Sequence, residues 1–202
     1  RHLLLMRIVL ASASPSRRMI LNNAGVDPLV RPAEVDEDAL LASLADAPPA
    51  RRVAALAEAK ALAVAGGFPD DVVIGGDSML LLDGHLQGKP LTPEKTVERW
   101  REQAGKTAEL LTGHCVILGE RKVVETTSTT VHFAQAAEAD IAAYARSGEP
   151  LQCAGAFTLE ALGGWFIDRI EGDPSSVIGL SLPLVRRALY SFGLDASQFW
   201  TC

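Results

Sequence analysis

The sequence predicts an α/β fold with a mixed sheet. Short β-branched strands alternate with helical segments through the first half of the chain. Two long strands, Glu109–Leu118 and Val123–Phe133, then follow one another with a turn at Gly119-Glu120.

Ile8 to Ala11 is apolar, partly β-branched and halted by small polar residues, which reads as a buried strand. Ser14 is a good N-cap and Pro15 suits a first helical position. Met19, Ile20, Leu21 and Ala24 give the apolar face of the helix that follows, and Gly25 stops it. Leu29-Val30 reads as a short strand. Glu34, Asp36, Glu37 and Asp38 read as an acidic turn. Ala50–Ala65 is strongly helical, with Lys60 near its middle. Val72–Ile74 is a strand that ends in Gly75-Gly76-Asp77-Ser78. Met79–Leu82 continues extended, and Asp83-Gly84 turns the chain into a hairpin. Gly88-Lys89-Pro90 is a loop, and Thr92-Pro93-Glu94 opens a helix to about Gln103. Beyond the two long strands come a helix over Ala137–Ser147, a strand at Gly163–Ile167 and a final helix over Ser175–Phe192, with a break near Pro183.

The chain of 202 residues reads as a single domain spanning 1–202, with Met6 as a native start and residues 1–5 as an extension. It carries 19 Lys and Arg against 25 Asp and Glu, a net charge of −6 that argues against a general nucleic-acid partner. No apolar run approaches the roughly 20 residues of a membrane span, so no membrane partner is expected. Cys115, Cys153 and Cys202 lie far apart with no C-x-x-C pair. That pattern suggests neither a zinc site nor a disulfide framework, and it fits a reducing cytoplasm.

Five places could carry chemistry. The Ser12–Arg18 turn combines Ser12, Ser14, Ser16, Arg17 and Arg18 at a helix N-terminus, where backbone N–H groups and guanidinium forks suit an anion. Asp77, after two glycines at a strand end, could take a proton from water or hold a divalent metal. Lys60 and Lys89 could meet phosphates, and Glu37 could complete a carboxylate pair with Asp77. Each has a plain alternative: a capped helix with solvated arginines, a turn aspartate, snorkelling lysines and a wet acidic turn. Together they form an inventory for phosphoryl or nucleotidyl chemistry. No G-x-x-x-x-G-K-[ST] occurs, no G-x-G-x-x-G follows a strand, and His2, His85, His114 and His132 show no nucleophile-elbow context.

Seven motifs in order carry a family resemblance. L-A-S-A-S-P-S-R-R (Leu10–Arg18), A-E-A-K-A (Ala57–Ala61), I-G-G-D-S (Ile74–Ser78) and G-K-P (Gly88–Pro90) come first. L-T-G (Leu111–Gly113), A-G-A-F (Ala154–Phe157) and E-G-D-P-S-S-V-I-G-L (Glu171–Leu180) complete the set. From Arg7 to Gly193 the chain resembles the Maf-type nucleoside triphosphate pyrophosphatases, the family named for its link to septum formation, in a form that looks actinobacterial. The resemblance implies an elongated mixed sheet in two lobes around a central cleft, similar to inosine triphosphate pyrophosphatases. It implies cytoplasmic hydrolysis of a nucleoside triphosphate to monophosphate and pyrophosphate with a divalent metal cation, Mg2+ or Mn2+. By the same resemblance Asp77 is the proton acceptor and, with Glu37, stands on the metal side. Ser12, Ser14, Arg17, Lys60 and Lys89 are the phosphate contacts. A homodimer is compatible with it, though no segment supplies an interface.

The departures bear on the base. Branches of the family that prefer thymidine and uridine triphosphates carry Arg, Thr and Gln where Ser16, Ser78 and Glu160 stand. The branch that prefers 7-methylguanosine triphosphate carries a bulky aromatic at the first and Glu at the last. This chain matches neither, so these three residues are its base-specificity set. Glu160 can accept hydrogen bonds from a base edge. Cys153 stands where many members have Lys. A non-catalytic nucleotide-binding regulator of septation is the second reading. An intact Asp77 counts against it, and the cation lost at Cys153 counts slightly for it. A structural scaffold with charged turns is a third, which seven ordered motifs make remote.

Overall fold

The computed structural model describes residues 5–201; the expected extension at residues 1–5 falls mostly outside them. The chain runs β1 (Ile8–Leu10), α1 (Pro15–Asn23), β2 (Leu29–Val30), α2 (Glu37–Ser43), α3 (Pro49–Ala65), β3 (Val72–Leu82) and β4 (His85–Gln87). It continues through α4 (Pro93–Gln103), β5 (Thr107–Leu118), β6 (Arg121–Phe133), α5 (Glu138–Ser147), β7 (Ile167–Glu171), α6 (Pro174–Ile178) and α7 (Leu182–Ser191). The strand order is β2-β1-β3-β5-β6-β7, with β4 added to β3. β1 lies parallel to both β2 and β3, whereas β4 on β3 and β7 on β6 are antiparallel. The sheet is therefore mixed, as the element pattern predicts. Among the described residues no helix is long and apolar enough to cross a membrane.

The chain separates into two compact units. The first comprises the residues up to Asp77, Thr112–Thr127 and those from Gly179 onward. The second comprises Ser78–Leu111 and Ser128–Ile178.

In the first unit, Val9, Ala11, Ala57, Ala61, Val73, Cys115 and Ile117 form a buried cluster between sheet and helix α3. Small residues let that helix lie close. A Cβ on Gly75 would stand 2.3 Å from the Ala57 carbonyl oxygen, and one on Gly113 would stand 2.2 Å from that of Val53. Such distances lie far inside van der Waals contact, so only glycine admits α3 at this depth. In the second unit the core is aromatic. Trp100 meets Phe133 edge-on with ring centroids 5.3 Å apart, and its indole N–H donates to the Ala156 carbonyl at 2.7 Å.

Four sequence expectations change. β3 does not end at Asp77 but runs on to Leu82, so Asp77 sits within a strand. The acidic turn is partly the start of α2: the Asp36 side chain accepts the Ala39 N–H at 3.1 Å and caps it. Gly163–Ile167 is mostly a 3-10 turn, Leu162–Phe166, with strand only from Ile167. The last helix is two helices. The break falls at Gly179, whose φ of +139° no helix accepts, and Pro183 lies in the first turn of α7, where a missing N–H costs nothing.

Candidate active site

Arg17 is the first side chain the first unit builds around. Ser14 caps α1 by accepting the Arg17 N–H at 3.4 Å. The guanidinium is turned inward: Nε donates to the Gly179 carbonyl at 2.7 Å and Nη1 to Ser12 Oγ at 3.3 Å. Ser12 Oγ also accepts the Ser14 N–H at 3.2 Å. Two glycines make the channel. A Cβ on Gly76 would stand 2.9 Å from Arg17 Nε, and one on Gly179 would stand 3.4 Å from Arg17 Cγ. Burial pulls the guanidinium below its usual pKa, and the charges of Asp77 and Glu37 oppose that pull. The reading of both arginines as solvated therefore fails for Arg17 and holds only for the exposed Arg18. Ser16 is half-buried in the first turn of α1. An open cavity of about 330 Å3 borders this turn, with Ser12, Ser14, Arg18, Asn22 and Asn23 in its wall.

Asp77, Lys60 and Glu37 form a row of alternating charge. Lys60 Nζ lies 3.0 Å from Asp77 Oδ1 and 3.0 Å from Glu37 Oε1. The close seating of α3 on Gly75 brings Lys60 to the carboxylate two residues further along β3. Glu37 is half exposed, whereas the Asp77 side chain is only 13% exposed. Asp77 Oδ2 is buried and has no hydrogen-bond partner among the described residues. Burial raises the Asp77 pKa above the ordinary carboxylate value and outweighs the opposing pull of Lys60 and Arg17; Glu37 adds to the rise. A buried carboxylate with one oxygen anchored, the other without a partner among the described residues and a raised pKa can accept a proton from water.

The same donor set fits a divalent cation bound together with a polyphosphate. Among the described residues no group of three or more His, Cys, Asp and Glu side chains could hold a metal by itself. Mg2+ commonly takes one or two carboxylates and completes its shell from phosphates and water. Asp77 and Glu37, the two carboxylates that meet Lys60 Nζ, offer that minimal set.

The remaining expected residues belong to the second unit. Ser78 follows Asp77 on β3 and is half-buried. Lys89 is exposed, on a loop whose preceding carbonyl, that of Gly88, accepts both Arg99 Nη1–H and the Gly155 N–H. Glu160 is exposed on the segment before the 3-10 turn at Leu162–Phe166. The Cys153 thiol is pushed up to about 11, first by burial and then by the charges of Glu160 and Glu149, with Lys89 pulling the other way. Cys153 thus lies within electrostatic reach of both Lys89 and Glu160. The sequence reading missed Gly76 and Gly179 as the walls around Arg17, and Arg99 as the holder of the Lys89 loop. The glycine pair was the visible signal, but its purpose depends on a side chain 59 residues away.

Comparison with known proteins agrees with the motifs. A family model described as Maf-like protein matches residues 7–192. A protein of Corynebacterium efficiens is 73% identical over 196 residues, covering 97% of this chain and all of the relative. One from Corynebacterium diphtheriae is 72% identical over 195 residues, with 96% and 98% covered. One from Nocardia farcinica is 58% identical over 203 residues, with 96% of each covered. Each of the three is named nucleoside triphosphate pyrophosphatase.

Proposed function

This chain belongs to the Maf-like family, and on that premise we propose that it is a nucleoside triphosphate pyrophosphatase whose proton acceptor is Asp77. The observation that carries the assignment is the state of that carboxylate: Oδ1 held by Lys60 at 3.0 Å, Oδ2 buried with no partner among the described residues, and the group's pKa raised by burial.

In this reading water attacks the α-phosphorus and gives its proton to Asp77 Oδ2. The bond from the α-phosphorus to the bridging oxygen breaks. Its electron pair leaves with pyrophosphate, and the nucleoside monophosphate remains. Arg17 and Lys60 stabilise the negative charge of the phosphates, and the buried position of Arg17 strengthens that effect. Ser12 holds Arg17 in place. Asp77 with Glu37 would hold a divalent cation, which would supply Lewis-acid neutralisation of the phosphate charge. The motif match supports Lys89 as a further phosphate contact, and Ser16, Ser78 and Glu160 as the residues that choose the base. Housekeeping of the cytoplasmic nucleotide pool is the setting we assign.

The test is incubation with Mg2+ and a panel of ribo-, deoxyribo- and modified nucleoside triphosphates, with pyrophosphate, phosphate and monophosphate measured separately. Pyrophosphate with monophosphate is the expected pair. Phosphate alone would place cleavage at the wrong bond, and tight binding with no release would favour the non-catalytic regulator.

A further inference from the structure

We propose that Glu149 is a positioning residue for base selection: its carboxylate ties both ends of the 158–163 segment and so fixes where Glu160 stands. The proposal rests on the reading of Glu160 as a base-selecting residue.

Residues 157–161 belong to no helix or strand, so no backbone ladder sets their path. One carboxylate does that work. Glu149 Oε2 accepts the Thr158 hydroxyl at 2.7 Å and the Gly163 N–H at 3.0 Å, and Oε1 accepts the Leu162 N–H at 3.0 Å. The Tyr144 hydroxyl adds a fourth tie by accepting the Thr158 N–H at 3.1 Å. The segment also folds tightly upon itself. A Cβ on Gly163 would stand 2.2 Å from the Thr158 carbonyl oxygen and 2.5 Å from the Tyr144 hydroxyl, and one on Gly164 would stand 2.8 Å from the Leu159 carbonyl oxygen. Glu160 lies at the tip of this closed loop, between the tied ends.

Glu149 is itself well placed. Gly148 ends α5 in the left-handed region at φ +79°, and the Glu149 N–H donates to Ser147 Oγ at 3.2 Å. Burial pushes its pKa up, but the hydrogen bonds from Thr158, Leu162, Tyr144 and Gly163 outweigh burial and hold it below the usual range. The clasp is therefore charged throughout neutral pH, and its bonds are of the strong, charge-assisted kind.

The test is a double-mutant cycle on the full chain with Mg2+, using Glu149→Gln, Glu160→Gln and the pair. The readout is the preference ratio between the best and next-best nucleotide. It is measured both as kcat/KM and as the Kd ratio of the α,β-methylene analogues, so that loss of turnover does not hide it. Glu149→Gln should shrink the ratio about tenfold, mainly through KM and Kd. The pair should do no more than Glu160→Gln alone, because both act through one group. A lower Tm with an unchanged ratio would make Glu149 purely structural and overturn the proposal, as would full additivity in the pair. An unchanged ratio in Glu160→Gln would remove Glu160 from base selection and take the proposal with it. Should Glu149→Gln fail to fold, Thr158→Val removes a single tie, and a shift of about threefold is then expected. No shift in that variant would overturn the proposal as well.

Discussion

Lys60 binds one oxygen of Asp77 at 3.0 Å and leaves the other without a partner among the described residues. A single carboxylate is thus both fixed in direction and left with an unused acceptor. Anchoring of both oxygens would give only a structural ion pair, and anchoring of neither would give a wandering side chain.

Asp77→Asn should lower pyrophosphate release by about 10²–10⁴-fold, the usual worth of a positioned general base. Nucleotide binding should persist, because Arg17 and Lys60 remain. Release assays and calorimetric titration read the two effects separately. Turnover near that of the wild type would remove Asp77 from the reaction.

The pH profile carries a sign. Asp77 must be ionised to accept a proton, and burial raises its pKa above the ordinary carboxylate range. The rate should therefore climb with pH through a pKa above that range. Lys60 pulls this pKa down, so Lys60→Met should move the rising limb to higher pH as well as weaken binding. An unmoved limb would show that another group sets the profile.

The two glycines before Asp77 should fail differently. Gly75→Ala drives a Cβ to 2.3 Å from backbone and should cost about 1–3 kcal/mol, roughly 2–10 °C in Tm. Gly76→Ala meets a side chain, Arg17, which can yield. Its Tm should change less, while KM should rise about tenfold as the guanidinium moves. Thermal melts paired with kinetics separate the two outcomes.

Acid should loosen the fold through Asp71 and Glu149. Burial raises both pKa values, but hydrogen bonds outweigh it and hold both below normal, those of Arg7 at Asp71 and those of Thr158 and its neighbours at Glu149. Their stabilisation is present above the unfolded-state pKa values, about 4, and is lost as pH falls through the lower folded values. Melting curves should show Tm dropping below about pH 4. The drop should be shallower in Asp71→Asn, whose side chain no longer titrates, and equal slopes would rule Asp71 out.

Local chemistry made much of the fold legible. Ser14 with Pro15 announced α1, Thr92 with Pro93 announced α4, and Asp83-Gly84 announced the β3–β4 turn. Each of these signals acts within a few residues. Pro183 misled because its meaning depends on whether a helix is already under way. It starts α7, and the interruption belongs to Gly179. In the candidate site the charged residues were readable one by one, but their partners were not. Arg17 finds its Gly179 acceptor 162 residues later, and Glu149 finds Thr158, Leu162 and Gly163 9 to 14 residues on, in a segment with no periodic pattern. Residue type gave the chemistry, and tertiary closure alone gave the pairing.

The carbonyl of Gly179 that receives Arg17 has a consequence for synthesis. A nascent chain makes β1 and α1 first, so this arginine leaves the ribosome long before its acceptor is translated. Until the carboxy-terminal stretch emerges, the guanidinium lacks the Gly179 oxygen that its Nε meets in the folded chain. A chain truncated before Gly179 would lose more than its last helix: the Arg17 guanidinium of α1 would lose its carbonyl acceptor as well.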